Sequence, residues 1–375
     1  MKTIYLDYNA TTPVDESVFT AMSSFLKSEF GNPSSHYPLG YRAKKAVESS
    51  RNMIAKMIKV KSDEIIFTSG GTESNNLAIL GYISQNGLNG NHIITSSIEH
   101  PATKNLCAHL SENGFEITYL PVNNEGRIKP KDLETAIKPK TVLISVIHSN
   151  NEIGTLQPVD EIGKIAKEYG ITFHSDAAQS IGKVIVEPKS SNIDLLSIAG
   201  HKFYAPKGIG ALYIRNGIKL QNIIHGANQE KGLRPGTENV PYIVALGKAA
   251  ELVTNNLTRY NKHMLETSAL FLSELKKYDL DYIINSPKDK KLPNTLNISF
   301  RNIRSRSLLD KLEYIAISSG SACHSDKSCS DVLKAVNVSP NYIRGSIRVS
   351  TGRYTTYKEI RKAVEQIAFT VRSLE

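Results

Sequence analysis

The sequence predicts an α/β protein that combines a mainly parallel, seven-stranded sheet with a smaller α+β domain. Seven short runs rich in β-branched residues occur before residue 215 of the 375-residue chain. Helical patterns separate most of these runs, and the runs themselves are almost continuously apolar. Strands of this kind are typical of a parallel sheet that helices cover on both faces. In such a sheet, functional groups gather at the carboxyl ends of the strands.

The elements follow one another in a regular order. Predicted strands, where β-branched and apolar residues dominate, cover residues 64–68, 92–95, 116–120, 141–147, 171–174, 193–198 and 210–214. Predicted helices between them include residues 42–57 and 159–169. After about residue 250 the pattern changes to a long helix over 246–277, strands over 296–300 and 346–350, and a helix from Tyr357. We therefore expect a large domain over residues 13–250 and a small domain that joins residues 1–12 to residues 251–375.

The composition is that of a soluble globular protein, with 40% hydrophobic and 22% charged residues. No apolar run approaches the roughly 20 residues that a membrane helix needs. Asp7 lies where a signal peptide needs its apolar core, so we expect a cytoplasmic protein without membrane contact. The three cysteines are too few for a disulfide framework, and a zinc site would need further ligands, so we expect no metal.

The formal net charge of +10 permits two interpretations. A basic protein can bind nucleic acid or another acidic partner, or it can simply be a basic soluble protein. No cluster of lysines and arginines interleaved with aromatic residues stands out. The sequence therefore favours the second interpretation, and we expect no direct nucleic-acid binding.

A glycine pair follows the first strand of the predicted sheet, in the segment that runs from Ser69 to Asn76. Glycines let the backbone approach an anion, and the start of a helix offers free N–H groups and the positive end of its dipole. The segment predicts a phosphate site, with Gly71 and Thr72 as its best members. A plain turn in which Thr72 caps the helix would have the same sequence.

An acid ends the strand near residue 174, and a glutamine follows three residues later. A carboxylate such as Asp176 can keep a pyridine nitrogen protonated, so that the ring withdraws electrons from a bound substrate. Gln179 can point the same way and donate to a ring hydroxyl. Taken alone, Asp176 is better explained as a cap for the next helix.

Lys202 follows Gly200 and His201 in a turn crowded with small residues. A lysine near a strand end usually pairs with an acid or reaches water. A partly desolvated amine near other cations has a lowered pKa, and it can then form a Schiff base with an aldehyde coenzyme. Together with Asp176 and the glycine turn, Lys202 indicates a site for pyridoxal phosphate.

Three further residues complete the candidate site. His100 follows a strand and can stack on a coenzyme ring and move protons, although a lone histidine is more often structural. Asn151 lies in a polar segment after the strand that ends near residue 147. Cys323 lies among small polar residues, and His324 and Lys327 favour its thiolate. A thiol there can carry sulfur as a persulfide, whereas the commonest state of a free cysteine is a buried apolar side chain.

Motifs along nearly the whole chain resemble the cysteine desulfurases of the class V aminotransferase fold, in their NifS/IscS-type branch. The likeness rests on segments 5–13, 30–35, 68–76, 150–154, 200–202, 234–239 and 319–323. It implies fold type I, pyridoxal 5′-phosphate as cofactor, L-cysteine as substrate and a homodimer whose active sites use both subunits. It also implies a sulfur acceptor, such as an iron–sulfur scaffold or a thiolation enzyme.

The resemblance assigns a role to each candidate. Lys202 would hold the coenzyme, His100 would stack on it and relay protons, and Asp176 would pair with the ring nitrogen. Phosphate binding would fall to Gly71, Thr72, His201 and the partner's Thr237. Gln179 and Asn151 would contact the ring hydroxyl and the substrate. Arg348 would bind the substrate carboxylate, and Cys323 would transfer the sulfur.

The chain departs from the family's pattern at a few positions. Ala199 replaces a usual phosphate-binding serine, and Cys329 lies where a proline is common and offers a second thiol. The segment 322–326 also resembles selenocysteine lyases, which leaves release of selenium from L-selenocysteine as an alternative. An aminotransferase or β-lyase, in which Cys323 is incidental, and a nucleic-acid-binding protein are more remote alternatives.

Overall fold

A computed structural model describes residues 3–86, 90–320 and 330–374. Its strands are β1 Ile4–Tyr5, β2 Ile65–Thr68, β3 His92–Ser96, β4 Glu116–Leu120, β5 Thr141–Ser145, β6 Thr172–Asp176, β7 Leu195–Ala199, β8 Gly210–Ile214, β9 Tyr282–Ile284, β10 Thr295–Phe300, β11 Ile315–Ala316, β12 Ser318–Ser319 and β13 Ser346–Ser350. Its helices are α1 Glu16–Lys27, α2 Pro38–Met57, α3 Gly71–Asn86, α4 Pro101–Glu112, α5 Pro130–Ala136, α6 Val159–Glu168, α7 Val240–Leu275, α8 Ser305–Lys311, α9 Asp331–Ala335, α10 Pro340–Ile343 and α11 Tyr357–Arg372.

The predicted seven-stranded sheet is confirmed, with strand order β2-β8-β7-β6-β5-β3-β4. Strand β8 is antiparallel to both of its neighbours, and the other pairs are parallel. The carboxyl ends of β2, β7, β6, β5 and β3 therefore lie at one edge of the sheet. Every strand except the edge strand β4 is buried along its whole length, which explains the almost continuous apolar runs.

Helices cover both faces of this sheet. Neighbouring strand residues point to opposite faces, so Ile93 packs with α3 and α4 whereas Ile94 packs with α1, α2, α6 and α7. Leu143 and Ile144 of β5 divide between the same two clusters. This two-sided core holds the strand ends in place at the edge where the polar residues gather.

The C-terminal part of the chain builds a second, four-stranded antiparallel sheet of order β12-β13-β10-β9. It packs with α8 and α11 in a separate hydrophobic cluster. The N-terminal segment joins this part, because β1 pairs with β11 and Leu6 is buried in the same cluster. Asp7 then forms a bridge with Ser350 of β13, which brings the following residues towards the large sheet.

The ends of several elements differ from the prediction. The strand predicted over 141–147 ends at Ser145, and the one predicted over 171–174 continues to Asp176, which pairs with Ser197. Helix α7 begins at Val240, six residues early, because Asn239 caps it and a proline follows in the first turn. The predicted division at residue 250 falls inside α7, and the domain boundaries stay a prediction. None of the helices in the described ranges is both long and apolar enough to span a bilayer.

Candidate active site

A cavity of about 300 Å³ opens at the carboxyl edge of the large sheet. Its size lies at the lower end of the roughly 300–1,000 Å³ typical of small-molecule sites. Nine of the predicted site residues line it, namely Gly71, Thr72, His100, Asn151, Asp176, Gln179, His201, Lys202 and Arg348. Thr237 is exposed and does not line this cavity, and Cys323 lies outside the described residues.

The predicted phosphate site forms one wall. Helix α3 begins at Gly71, so Thr72 is the second residue of the helix and not its N-cap. A Cβ atom at Gly71 would lie 3.4 Å from the methyl group of Ala199 and would point into a wall that is already close-packed. The glycine therefore lets the free N–H groups of the helix start face the cavity, where they can bind an anion.

His201 lies on the same wall and accepts or donates a hydrogen bond at 3.2 Å between Nδ1 and Oγ1 of Thr11. Burial is the main cause that lowers the pKa of His201 to about 4, and the positive charges of Lys202 and Lys207 contribute to this shift. The ring is therefore neutral at neutral pH. A neutral imidazole that accepts at Nδ1 carries its proton on Nε2, which can donate to a phosphate oxygen.

The carboxylate of Asp176 is held at the end of β6 with only 5% of its surface exposed. Its Oδ2 accepts from Nδ2 of Asn75 at 2.8 Å, and its Oδ1 accepts from the backbone N–H of Ala178 at 2.9 Å. The second bond closes the turn that follows β6; no helix begins there, so Asp176 is not the helix cap that the sequence allowed, and its pairing with a ring nitrogen stays a prediction. Asn75 was missed in the sequence, although it lies one turn after Gly71 and so faces the sheet.

The amine of Lys202 lies in the single 3₁₀ turn after β7. Its Nζ donates to the backbone carbonyls of Asn9 at 2.7 Å and Ala10 at 2.9 Å. Burial lowers the pKa of Lys202 to about 8, and the nearby Arg348 adds to the effect, while Asp176 opposes it. At neutral pH a far larger fraction of this amine is unprotonated than in an ordinary lysine, and the unprotonated amine is the form that attacks an aldehyde.

His100 is the N-cap of α4 and is exposed because its ring faces the open cavity. Its Nδ1 accepts from the backbone N–H of Ala102 at 3.1 Å, so the neutral ring carries its proton on Nε2. Burial of the ring against the cavity wall lowers the pKa of His100, and Asp176 opposes that shift. The neutral ring accordingly presents an N–H donor at Nε2 to the cavity.

Glu99, directly before His100, was also missed in the sequence. Its Oε1 accepts from the hydroxyl of Ser96 and from the backbone N–H of Ile147 at 2.9 Å. Burial raises the pKa of Glu99 to about 8, so this carboxyl is mostly protonated at neutral pH. It fixes the segment that carries His100 to the strand end at residue 147 without adding a full negative charge.

Arg348 of β13 brings a cation from the second sheet into the cavity. Its Nη2 donates to Oδ1 of Asp7 at 2.8 Å and to Oγ of Ser318 at 3.1 Å, and its Nη1 donates to the carbonyl of Asn151 at 3.1 Å. The sequence analysis named Arg348 and Asn151 but missed Asp7 and Ser318, which lie far apart along the chain. The arrangement fixes a guanidinium at the cavity, where it can bind a carboxylate.

The residues present fit pyridoxal phosphate. The cavity places an anion-binding helix start, a half-buried amine of lowered pKa and a hydrogen-bonded carboxylate on its walls. Those are the groups that a phosphate, an aldehyde and a pyridine nitrogen require. Ala199, at the position where a serine is usual, also lines the cavity and offers no side-chain hydrogen bond to a phosphate.

Comparison with known proteins agrees with this geometry. The family model for class V aminotransferases matches residues 4–362. Cysteine desulfurase IscS of Dictyoglomus turgidum is 47% identical over 374 residues, which cover 99% of this chain and 95% of the relative. Cysteine desulfurase IscS of Methanosarcina thermophila is 46% identical over 376 residues, which cover 100% of this chain and 93% of the relative.

Solved structures show the same likeness. A NifS-like protein is 36% identical with a TM-score of 0.94, and the match covers 99% of this chain and 100% of that one. A structure of SspA in complex with cysteine is 38% identical with a TM-score of 0.83, covering 94% of this chain and 99% of that one. The chain therefore belongs to the class V aminotransferase family, among its pyridoxal-phosphate-dependent cysteine desulfurases.

Proposed function

We propose that this protein converts L-cysteine to L-alanine and transfers the sulfur to Cys323 as a persulfide. The observation that carries the proposal is the amine of Lys202, whose lowered pKa suits covalent attachment, in one cavity with Asp176 and Arg348. The amine and carboxylate suit the coenzyme, and the guanidinium suits the carboxylate of an amino acid.

Residues on different walls of the cavity would bind different parts of the coenzyme. Lys202 would hold it covalently, Asp176 would pair with its ring nitrogen, and Gly71, Thr72 and His201 would bind its phosphate. Gln179 donates to its ring hydroxyl. When bound, the coenzyme withdraws electrons from the substrate α-carbon, which makes the α-proton removable.

Substrate orientation depends on Arg348. Its guanidinium is only 8% exposed and is held by Asp7 and Ser318, so little conformational entropy is lost when a carboxylate binds. Asn151 lies beside it and contacts the bound substrate. This orientation leaves the side chain of cysteine directed away from Arg348.

Proton movement depends on Lys202 and His100. The free amine of Lys202, whose pKa is lowered to about 8, would be the base that takes the α-proton. His100 carries a proton on Nε2 and can return one to the product or relay one to the thiol. The chain thus supplies both a base and an acid at one face of the cavity.

The sulfur acceptor is Cys323, whose role rests on the sequence and on the reach of the chain. Ser318 contacts Arg348, and Cys323 follows five residues later, a span of at most about 18 Å. The Cys323 thiolate attacks the substrate sulfur, so that an S–S bond forms and the substrate C–S bond breaks. The electron pair of that bond stays with carbon, which becomes alanine after protonation. Cys107 is unsuited to the task, because burial raises the pKa of its thiol to about 12.

The proposal includes a homodimer in which Thr237 binds the phosphate in the partner's active site. Its support is that Thr237 is exposed and lies outside its own chain's cavity. The persulfide then passes to an acceptor protein, such as an iron–sulfur scaffold or a thiolation enzyme. The homodimer and the transfer of sulfur to an acceptor protein both rest on the family resemblance.

Turnover of the purified protein with L-cysteine tests the proposal. We expect equal amounts of alanine and enzyme-bound or released sulfur, loss of persulfide in Cys323→Ala, and retention of it in the matched control Cys329→Ala. The coenzyme absorbance stays in both variants. Unchanged sulfur transfer in Cys323→Ala would remove that residue from its role, and turnover confined to L-selenocysteine would favour a selenocysteine lyase.

A further inference from the structure

A second lysine, Lys183, lies buried behind the cavity and has no role in the reaction described above. Only 4% of its surface is exposed. Its Nζ donates to Oε1 of Gln179 at 2.7 Å and to Oδ1 of Asn9 at 3.0 Å. Among the described residues no carboxylate forms an ion pair with it. A buried cation without an acid partner is costly, so its charge state and its two contacts require an explanation.

The surroundings of Lys183 favour the neutral amine. Burial lowers the pKa of Lys183 well below its ordinary value, and the positive charges of Lys202 and Arg348 act in the same direction. A neutral amine still has N–H groups to donate. Lys183 can therefore bind Gln179 and Asn9 without placing another positive charge beside Lys202.

The two contacts fix the side-chain amide of Gln179. Its Oε1 accepts from Lys183, while its Nε2 donates to the backbone carbonyl of Asn9 at 2.9 Å. A flipped amide would place its nitrogen against the amine and its oxygen against a carbonyl. The second N–H of Nε2 has no acceptor among the described residues, and Gln179 lines the cavity.

Asn9 is fixed by the same amine. Its Oδ1 accepts from Lys183 and from Nδ2 of Asn294 at 3.0 Å. Its backbone carbonyl accepts from Gln179 and from Nζ of Lys202. Lys183 therefore lies one hydrogen bond away from Gln179 and, through Asn9, two hydrogen bonds away from Lys202, and both of these residues line the cavity.

We propose that Lys183 is a positioning residue that orients the Gln179 amide and the Asn9 carbonyl towards the coenzyme site. The inference rests on the proposed binding of pyridoxal phosphate to Lys202. A correctly oriented Gln179 donates to the ring hydroxyl and favours its ionised form. Loss of Lys183 frees the amide, so the proton on the coenzyme should be held more tightly.

The test is a double-mutant cycle read by absorbance, which reports the coenzyme's own titration. The protein is prepared with pyridoxal phosphate as wild type, Lys183→Met, Gln179→Leu and the double variant. We expect the midpoint of the pH-dependent spectral change to rise by about one pH unit, a tenfold change in the equilibrium, in each single variant. The double variant should show the same shift as either single variant, because the two residues act in one chain of contacts.

Two further variants separate positioning from a purely structural role. Lys183→Gln keeps a neutral donor, so its midpoint should lie nearer to that of the wild type. Lys291→Met, a matched control, removes a half-buried lysine outside the cavity and should leave the midpoint unchanged.

An unshifted midpoint in Lys183→Met, or additive shifts in the double variant, would overturn the proposal. If Lys183→Met does not fold, Lys183→Gln alone decides: it must shift the midpoint less than Gln179→Leu does. A wild-type protein without any coenzyme absorbance would instead refute the proposed function, so the two failures are distinguishable.

Discussion

At the scale of single residues, the site depends on how burial sets the charge of each ionisable group. Burial lowers the pKa of Lys202 to about 8 and that of His201 to about 4, and it raises the pKa of Glu99 to about 8. At neutral pH the cavity therefore combines a partly neutral amine, a neutral imidazole and a mostly protonated carboxyl. Arg348 keeps its charge, because no ordinary pH removes it.

The pKa of Lys202 predicts how the coenzyme attaches. The rate at which cofactor-free protein binds pyridoxal phosphate covalently should rise about tenfold per pH unit below pH 8 and level off above it, because only the neutral amine reacts. Stopped-flow absorbance measures this rate. The variant Arg348→Gln should move the midpoint upwards, since Arg348 is a cation that lowers the pKa of Lys202. A rate that climbs steadily to pH 10 in the wild type would contradict the assignment.

The same shift has a consequence for stability in the cofactor-free protein. The unfolded chain binds more protons than the folded chain between pH 8 and the ordinary lysine pKa, so the free energy of unfolding from this group rises with pH in that interval. Covalent attachment of the coenzyme would replace the titration of the free amine with that of the attached coenzyme.

At the scale of elements, the strand ends could be predicted from the sequence and the long-range contacts could not. Apolar β-branched runs mark the strands, and the polar residues that follow them meet at one edge of a parallel sheet, which is why Asp176 and Lys202 were found. Asn9, Asn75 and Lys183 were missed. Their partners lie between 4 and 341 positions away, and no local pattern encodes such pairs.

The N-terminal segment is the element that most strongly links the two sheets to the site. Leu6 is fully buried against the second sheet. Asn9, three residues after Leu6, accepts a hydrogen bond from Lys202 at its backbone carbonyl. We expect Leu6→Ala to lower the free energy of unfolding by about 2–5 kcal/mol, because it leaves a cavity in a packed core. Denaturant unfolding of the cofactor-free protein measures this loss.

A matched control for that substitution is Ile185→Ala, since Ile185 is 72% exposed and should change stability little. Leu6→Ala should also weaken coenzyme binding, because the segment that carries Asn9 is no longer held. Equal stability of the two variants would mean that the N-terminal segment contributes no packing to the second core.

At the scale of the whole molecule, the proposed homodimer would share its active sites, with Thr237 of one subunit acting in the cavity of the other. Two inactive variants should then complement each other. In a mixed dimer, the Thr237→Ala subunit supplies an intact Lys202, and the Lys202→Ala subunit supplies an intact Thr237. One of the two sites therefore contains both residues. We expect neither variant to be fully active alone, and the mixture, after dissociation and reassociation, to regain activity in that site.

Activity in the mixture that equals the average of the separate variants would contradict a shared site. Sedimentation analysis of the wild type provides the control, since a monomer at assay concentration would exclude complementation altogether. The fold itself could be predicted from the sequence at this scale, because apolar strands and helices recur with regular periods, whereas the proposed homodimer rests on the family resemblance and not on any periodic pattern.

The most direct measurement of the central claim is borohydride reduction of the purified protein followed by peptide mass spectrometry. Reduction makes the link between a lysine and pyridoxal phosphate permanent. The account predicts one phosphopyridoxyl group per chain, attached to Lys202, and its loss in Lys202→Ala. A label on another lysine, or no label in protein that turns over cysteine, would contradict it.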